Sequence, residues 1–252
     1  MALSPEETRR YARHIVLKGL GGAGQAALKT AHVAVIGAGG LGAPVIAYLA
    51  AAGVGRLTIV DPDSVTLSNL QRQVIHRSDD EGIGKARSAA RFVADLNPHV
   101  VVEAVAEAIT PDNAPRLLAG ATVVVEGTDS FAAREIVAAA CEALCVPLVS
   151  GAITMFDGQV TVLAPHLSDS EGRRAPRFAD LFAVAPEAGE VPACEEVGVL
   201  GVLTGTIGTM MANEAIKLIT GYAGPLIGKL LIYSSRSGET RVLRYRRREA
   251  RV

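Results

Sequence analysis

The sequence has 252 residues, of which 49% are hydrophobic and 20% are charged, and its formal net charge is −1. A chain of this size and composition can bury a sizeable core in one domain, and a charge near zero argues against a general nucleic-acid-binding protein. No signal peptide is evident, and the most apolar stretch, 197–220, contains Glu214 and Lys217, so we expect a cytoplasmic protein that does not span a membrane.

Apolar strand-like runs alternate with helix-like segments from residue 32 onward. The predicted strands are "HVAVIG", "RLTIVD", "VVVEAVAE", "TVVVEG" and "VPLVSG", a pattern typical of a parallel sheet with helices on both faces. After Gly151 the stretch "ITMFDGQVTVLAP" predicts a hairpin with its turn at Asp157-Gly158. The fold class is therefore α/β, a Rossmann-like doubly wound sheet whose parallel N-terminal half continues into antiparallel strands.

The chain is predicted to form a single domain over residues 1–252. Residues 1–30 form an N-terminal helical arm, 31–151 a nucleotide-binding half, and 152–252 a second half. Within the second half, residues 165–196 are polar and rich in Pro and Gly, without an apolar period long enough to bury. We expect a long mobile loop there, and loops of that length are usually functional or disordered.

The clearest local motif is the glycine-rich turn in "VAVIGAGGLGAPV", which contains Gly37, Gly39, Gly40 and Gly42. Three of these glycines fit the GxGxxG fingerprint, in which a tight turn leads into a helix N-terminus that binds phosphate. Asp61, at the end of the next strand, lies where a carboxylate would bind a ribose hydroxyl. This combination suits NAD as well as ATP, so it predicts a nucleotide but no chemistry.

Polar side chains follow the second strand in "SVTLSNLQRQVIHRSDDEGIGKARSAARF", among them Asn69, Arg72 and Lys85. This position is at the carboxyl edge of the sheet, where doubly wound folds bind ligands. A dehydrogenase has little need of several cations there, whereas a nucleotidyl transferase needs them to stabilise a departing pyrophosphate. Arg72 as a helix cap and Lys85 as a surface lysine are the alternatives.

Asp129 follows the fourth strand in "VVVEGTDSF" and is a candidate magnesium ligand. Mg²⁺ commonly binds one or two protein carboxylates together with phosphate oxygens and water. The alternative is that Asp129 is the N-cap of the helix that begins near Ser130.

Ordered motifs along nearly the whole chain resemble the ThiF/MoeB/HesA family of sulfur-carrier adenylyltransferases, which are relatives of the ubiquitin-activating enzymes. The matching segments are "RYARHIVL", "GAGGLG", "LSNLQRQ", "GIGKA", "EGTDSFAAR", "PLVSGAI", "GQVTV" and "CEEVGVLGVLTGTIG". In that family, ATP with Mg²⁺ adenylates the C-terminal glycine of a small ubiquitin-like sulfur carrier of the MoaD or ThiS type, which prepares it for thiocarboxylate formation. The resemblance implies one adenylating domain whose second half binds the carrier.

The resemblance also implies a set of nucleotide-binding positions. They are Gly37, Gly39, Gly40, Gly42, Asp61, Ser68, Asn69, Arg72, Lys85, Asp129 and Ser130. Among them, Asn69 and Arg72 would contact the phosphates, Lys85 the region of the α-phosphate, and Asp129 the metal. Arg13 in "RYARHI" matches a family arginine that reaches the triphosphate, in related dimers from the neighbouring subunit.

The chain departs from the family pattern where many members bind a structural zinc ion through two CxxC pairs. The first pair would fall at "PRFADLF", where Arg177 and Asp180 stand instead, and the C-terminal pair is missing, so we predict no zinc. Cys194 in "VPACEEVGVLG" matches a family cysteine that in some members joins the carrier or passes sulfur. A nearby helix N-terminus would lower its pKa, whereas Glu195 and Glu196 would raise it.

The leading hypothesis is adenylation of the Gly-Gly tail of a sulfur carrier. An NAD-dependent oxidoreductase using the same glycine turn is the main alternative, and a non-catalytic binding module that kept the fold is the third. No sulfurtransferase segment follows the adenylating domain, so a separate protein is expected to donate sulfur. The apolar helix after Gly198 predicts a homodimer, because we expect it to expose more apolar surface than one subunit can cover.

Overall fold

The computed structural model describes residues 2–182 and 198–248. The strands in these residues form one sheet; they are β1 (His32–Ile36), β2 (Arg56–Val60), β3 (Val101–Val105), β4 (Val123–Glu126), β5 (Leu148–Thr154), β6 (Asp157–Leu163), β7 (Lys229–Ser234) and β8 (Thr240–Arg244). The sheet order is β3-β2-β1-β4-β5-β6-β7-β8. The first five strands in that order run parallel, and β6, β7 and β8 are antiparallel to their neighbours. The predicted fold class is confirmed.

Helices cover both faces of the parallel half. They are α1 (Pro5–Arg10), α2 (Ala12–Ile15), α3 (Gly21–Thr30), α4 (Gly42–Ala52), α5 (Lys85–Leu96), α6 (Ala114–Leu118), α7 (Phe131–Leu144), α8 (Phe178–Leu181) and α9 (Gly201–Thr220). One apolar core lies between the sheet and the helices α4, α5 and α9, and a second lies between the sheet and α6 and α7. Burial on both faces explains why the central strands are continuous apolar runs.

The strand order reverses direction between β1 and β4. From β1 the chain builds outward through β2 and β3, then returns to place β4 on the other side of β1. In doubly wound sheets a crevice opens at such a switch point, at the carboxyl ends of the strands. The glycine turn follows β1 and the Asp129 segment follows β4, so both lie at this crevice.

The β5–β6 hairpin is present, but its turn differs from the prediction. Thr154 pairs with Asp157, so the turn is formed by Met155 and Phe156, and Gly158 lies within β6. A side chain at Gly158 would collide with Ile207 of α9, so this glycine permits close packing of the helix rather than a turn. The prediction of a turn at Asp157-Gly158 is therefore wrong, because the glycine is required for the contact with α9 and not for a turn.

The apolar helix α9 packs against α4, β5 and β6 of its own chain. Its Met211 lies against Gly151, and Glu214 accepts a hydrogen bond from the Leu226 backbone N–H at 2.8 Å. One face of this helix is thus covered within its own subunit, while Val202 is exposed, so the homodimer stays a prediction. Among the described residues, we find no helix that combines the length and apolar character needed to cross a bilayer.

The stretch from residue 165 to 182 contains more packed structure than its composition predicted. Phe178 is buried, and its ring lies 5.5 Å from that of Phe131 and 4.8 Å from that of Phe182. Ser168 bridges to Arg174 around a tight turn. Two phenylalanines, too few to form a period, suffice to fix this part on α7; residues 183–197 lie outside the described residues.

Candidate active site

A cleft of about 960 Å³ opens at the carboxyl edge of the sheet. Nine of the predicted nucleotide positions line it: Gly37, Gly39, Gly40, Asp61, Asn69, Arg72, Lys85, Asp129 and Ser130. These residues come from the segments that follow β1, β2 and β4, as the sheet topology requires. The structure thus brings together residues up to 93 positions apart, from Gly37 to Ser130.

The glycine turn has the backbone geometry that its sequence predicts. Gly37 has φ of +93°, in the left-handed region that favours glycine. A Cβ on Gly42 would collide with the carbonyl oxygen of Gly37, so this third glycine is needed for close packing rather than for ligand contact. Gly42 accordingly does not line the cleft, while Gly39 and Gly40 do.

Asp61 holds this turn from the end of β2. Its Oδ2 accepts a hydrogen bond from the Ala38 N–H at 2.7 Å, and its Oδ1 accepts one from the Asp63 N–H at 2.9 Å. Burial raises the pKa of Asp61, and these backbone hydrogen bonds oppose the shift. Each oxygen keeps a free lone pair, so the carboxylate can also accept a ribose hydroxyl.

Two cationic side chains also line the cleft. Lys85 is the first residue of α5, yet its side chain is only 10% exposed, and its Nζ lies 2.9 Å from Asp63 Oδ2. Arg72 donates to the Ser68 carbonyl oxygen at 3.2 Å. Lys85 is therefore not the surface lysine of the alternative reading, and both cations face the cleft.

Ser68, a predicted nucleotide-binding residue, contacts Thr66. Its hydroxyl lies 3.1 Å from Thr66 Oγ1, and the residue does not line the cleft. The short 3₁₀ helix over Leu67–Asn69 turns it away, while Asn69 is buried with its Oδ1 accepting from the Thr66 N–H. Ser68 contributes its carbonyl oxygen, which orients Arg72.

Asp129 is not the N-cap of α7. That position belongs to Ser130, whose hydroxyl accepts a hydrogen bond from the Ala133 N–H at 3.3 Å. Asp129 is exposed at the cleft, and no hydrogen bond to its carboxylate is found in the described part of the chain. Its capping alternative is removed, which leaves the carboxylate free for a ligand.

Glu126, the last residue of β4, was not anticipated from the sequence. Its completely buried carboxylate accepts from the Thr128 N–H at 2.6 Å, the Thr128 hydroxyl at 2.8 Å and the Ser150 hydroxyl at 3.0 Å. Burial raises the pKa of Glu126, whereas Arg134, 3.7 Å away, acts to lower it. Glu126 thereby fixes the segment that carries Asp129. In the sequence, the only indication of this role is a glutamate at the end of a run of valines.

Two further residues at the cleft also escaped sequence reasoning. Arg134 donates through Nε and Nη2 to the Thr128 carbonyl oxygen, at 3.1 and 2.7 Å. Gln73 is only 3% exposed, lies beside Gly39, and its Oε1 has no partner among the described residues. Gln73 stood within the quoted "LSNLQRQ" motif, so the motif contained the signal.

The cleft continues beyond the phosphate region onto the antiparallel strands. Ala152 and Thr154 of β5, Gln159 of β6 and Ile232 of β7 line this part. Ala152, Gln159 and Ile232 are cross-strand partners and therefore share one face of the sheet. The cleft therefore extends from the phosphate region onto the face that β5, β6 and β7 share, where Asp157 also lines it.

Two predicted site residues remain, Arg13 and Cys194. Arg13, on α2, is exposed and does not line the cleft of its own chain. Cys194 lies outside the described residues. At the position of the missing zinc ligands, the Arg177 N–H donates to Asp180 Oδ2 at 2.7 Å, and Asp180 Oδ1 accepts from the Arg248 N–H.

Comparisons with known proteins identify the family. The sequence model described as the ThiF family matches residues 11–251. The chain is 47% identical over 237 residues to the SAMP-activating enzyme E1 of Haloferax volcanii, covering 93% of this chain and 85% of that protein. It is 44% identical over 247 residues to the sulfur carrier protein adenylyltransferase of Thermus thermophilus, covering 98% and 90%.

Solved structures agree on the fold. The structure of Escherichia coli MccB with ATP superposes with a TM-score of 0.81 at 21% identity, covering 95% of this chain and 72% of that one. At this identity the likeness concerns the fold alone, while the family match extends over nearly the whole sequence. The chain therefore belongs to the ThiF family.

Proposed function

We propose that this chain is an adenylyltransferase that uses ATP to activate the C-terminal glycine of a ubiquitin-like sulfur-carrier protein. The convergence of Asn69, Arg72, Lys85 and Asp129 on one cleft, beside a glycine-rich turn, is the observation that supports it most. The names of the relatives from Haloferax volcanii and Thermus thermophilus state activation of SAMP and adenylation of a sulfur carrier.

The reaction joins the carrier's terminal carboxylate to the nucleotide. A carboxylate oxygen attacks the α-phosphorus, an O–P bond forms, and the bond from the α-phosphorus to the bridging oxygen breaks, so that pyrophosphate departs with that electron pair. Arg72 and Lys85 stabilise the charge that accumulates on pyrophosphate. Lys85 exchanges its ion pair with Asp63 for the phosphate, which costs little because the Asp63 side chain is largely exposed to water.

Mg²⁺ enters as part of the ATP substrate. The described parts of the chain contain no group of three or more His, Cys, Asp or Glu side chains that could hold a metal ion. The exposed carboxylate of Asp129 fits an ion that takes its other ligands from phosphates and water. Bound there, Mg²⁺ would neutralise phosphate charge as the pyrophosphate departs.

The part of the cleft on the antiparallel strands suits the carrier's C-terminal tail. An extended tail that lies along β5 and β6, past Ala152 and Gln159, would bring its terminal carboxylate toward the glycine turn. Ala152, Gln159 and Ile232 on this face are uncharged, whereas Asp157 adds a negative charge beside them, which favours a glycine tail over a bulky or acidic one.

The other two hypotheses have less support. The hypothesis of a dinucleotide oxidoreductase explains the glycine turn and Asp61. It leaves two residues without a role: the buried Lys85, and Asp129, which does not cap a helix. A binding module that lost activity has no need of these charged side chains around one cleft. The adenylyltransferase names of the relatives also favour the first hypothesis.

A second copy of this chain is a further part of the proposal. Arg13 would then reach the cleft of the partner subunit, and the exposed apolar side chains of Val16 and Leu17, directly after α2, would be covered. We further propose that a separate protein donates the sulfur and that the enzyme acts in the cytoplasm.

The test is ATP–pyrophosphate exchange with candidate carriers. Exchange should appear only when a carrier is added, and a carrier lacking its last glycine should give none. Exchange of equal rate without carrier, or reduction of a nicotinamide nucleotide instead, would refute the proposal. Mass spectrometry of the carrier should show a covalently attached AMP group.

A covalent role for Cys194 is tested separately. Adenylation needs only the nucleotide cleft and a carboxylate, so Cys194→Ser should form the AMP adduct at close to the normal rate. Loss should appear only in later sulfur transfer. Collapse of adenylation in a folded variant would instead assign Cys194 to the ATP or carrier site.

A further inference from the structure

One residue of the glycine turn is held by side chains from both sides. The Ala38 N–H donates to Asp61, and the Ala38 carbonyl oxygen lies 3.0 Å from His76 Nε2. The next two residues, Gly39 and Gly40, line the cleft. The orientation of the Ala38 peptide therefore sets the direction of the amide groups that follow it.

His76 is itself held by a buried chain of polar groups. Its Nδ1 lies 2.8 Å from Ser88 Oγ, and Ser88 Oγ lies 2.5 Å from Asp80 Oδ2. Asp80 also accepts from the Arg77 N–H at 3.1 Å and forms an ion pair with Arg91. The side chains of the three linked residues are all nearly inaccessible to water.

This hydrogen-bond network connects two segments that line the nucleotide site, the glycine turn and helix α5. Ser88 lies on α5 three residues after Lys85, so both belong to the first turn of one helix. His76 therefore links the carbonyl of the glycine turn to the helix that carries the phosphate-facing cation. A buried network whose members all have partners makes such a link rigid.

The network requires one proton more than its ordinary charge states supply. Three contacts, Ala38–His76, His76–Ser88 and Ser88–Asp80, each need a hydrogen. A carbonyl oxygen can only accept, a neutral imidazole carries one hydrogen, the Ser88 hydroxyl carries one and an ionised carboxylate carries none, so these groups supply two hydrogens for three contacts. Arg91 and the Arg77 N–H favour the ionised form of Asp80, so all three contacts are hydrogen bonds only when the imidazole carries a second proton.

We propose that His76 is a positioning residue of the nucleotide site, which orients the Ala38 peptide for phosphate binding and does so fully only when both ring nitrogens carry hydrogen. This inference rests on the proposed function, because it assumes that the glycine turn binds ATP. It differs from a core histidine that only stabilises the fold, since it predicts an effect on nucleotide affinity that depends on pH.

The charges around the imidazole give the sign of that dependence. Burial lowers the pKa of His76, nearby Lys85 lowers it further, and Asp61 raises it; Asp80, paired with Arg91, faces it through Ser88. The phosphates of ATP bring negative charge to the turn, which favours the protonated ring. ATP should therefore bind more tightly as pH falls through the pKa of His76, and this gain should be lost as pH rises.

The experiment compares ATP affinity of the full chain at about pH 6 and pH 8 in three variants. His76→Gln keeps an N–H for Ala38 but cannot gain a proton, so it should match the wild type within roughly threefold at the higher pH. At the lower pH it should bind ATP roughly three- to tenfold more weakly than the wild type, the scale of one hydrogen bond. His76→Ala should bind about tenfold more weakly at both pH values. Dividing each affinity by the wild-type value at the same pH removes the titration of ATP itself.

His99→Gln is the matched control, because His99 lies after α5, pairs with Glu6 and does not line the cleft. It should change neither affinity nor its pH dependence. Wild-type affinity in His76→Ala, or the full wild-type pH dependence in His76→Gln, would overturn the positioning role. If His76→Ala does not fold, Ser88→Ala replaces it: a reduced pH dependence supports the role, and an unchanged one contradicts it.

Amide hydrogen exchange separates failure of this inference from failure of the proposed function. If the wild-type chain binds no ATP, the proposed function is wrong, but the Ala38 amide still reports on the turn. Its exchange should be faster in His76→Ala than in His99→Gln if His76 holds the turn. Equal exchange in the two variants would show that it does not.

Discussion

The parallel and antiparallel halves of the sheet differ in how deeply their strands are buried and in how firmly their polar side chains are fixed. In the parallel half, strands β1, β2 and β4 are buried almost throughout, and polar side chains at or just beyond their ends, such as Asp61 and Glu126, are fixed by hydrogen bonds. In the antiparallel half, every residue of the edge strand β8 is exposed, including Val242 and Leu243. The cleft crosses from one half to the other.

This difference shows where preorganisation is needed. Charge stabilisation in a reaction depends on groups that are already in place, so the nucleotide end must be rigid. A surface for a folded partner needs an accessible area more than fixed polar groups. Variants in the parallel half should therefore reduce chemistry or nucleotide binding, in proportion to how directly each residue meets the phosphates.

The largest effect is expected at the cations. Lys85→Met or Arg72→Ala should lower carrier-dependent pyrophosphate exchange by roughly a hundredfold or more, because each removes a preorganised charge. Arg56→Ala, at the opposite edge of the sheet, is the control and should be nearly neutral, since its ion pair with Glu103 is exposed. Near-normal exchange in both cleft variants would contradict the assigned chemistry.

A smaller and conditional effect is expected at Arg13. Arg13→Ala should reduce exchange by about tenfold or more if the arginine reaches the triphosphate from a partner subunit. Mixing it with Lys85→Met should then restore part of the activity, because some hybrid dimers contain one intact site. No recovery after confirmed subunit exchange would remove Arg13 from the partner's cleft.

Much of the parallel half could be predicted from the sequence because local rules decide it. Continuous valine and isoleucine runs specify buried strands, and the Gly37 and Gly42 positions have steric requirements that only glycine meets. The predicted residues Asn69, Arg72, Lys85 and Asp129 then meet because parallel strands place their carboxyl ends at one edge.

The remainder depended on contacts between distant residues. The hairpin turn was misplaced because Gly158 makes room for Ile207, which is 49 residues away. Ser68 was assigned to the nucleotide, but the local 3₁₀ turn directs its hydroxyl to Thr66. Buried hydrogen bonds or burial alone determine the positions of Glu126, Gln73 and His76. Such contacts produce no periodic pattern in the sequence.

A modest effect is expected at Gln73, whose side-chain oxygen is buried beside the glycine turn without a partner in the described residues. If a hydroxyl of the nucleotide or a bound water donates to this oxygen, Gln73→Leu should weaken ATP binding by roughly three- to tenfold. Gln71→Leu, two residues away and exposed, is the matched control. Equal ATP affinity in both variants, measured by calorimetry, would give Gln73 a packing role only.

The smallest effect on catalysis is expected at Glu126, where the change concerns stability. Because burial raises the pKa of Glu126 in the folded chain, the protonated form is favoured there. The stability it contributes is present at low pH and is lost as pH rises from the unfolded value of about 4.3 toward the folded pKa.

Glu126→Gln mimics the protonated acid: its amide oxygen can accept from Thr128 and its amide nitrogen can donate to Ser150. Urea denaturation should show that the wild type loses more stability than this variant between about pH 4.5 and pH 8, while exchange activity stays within about threefold. The opposite order, with the variant losing more, would mean that Arg134 outweighs burial and keeps the carboxylate ionised.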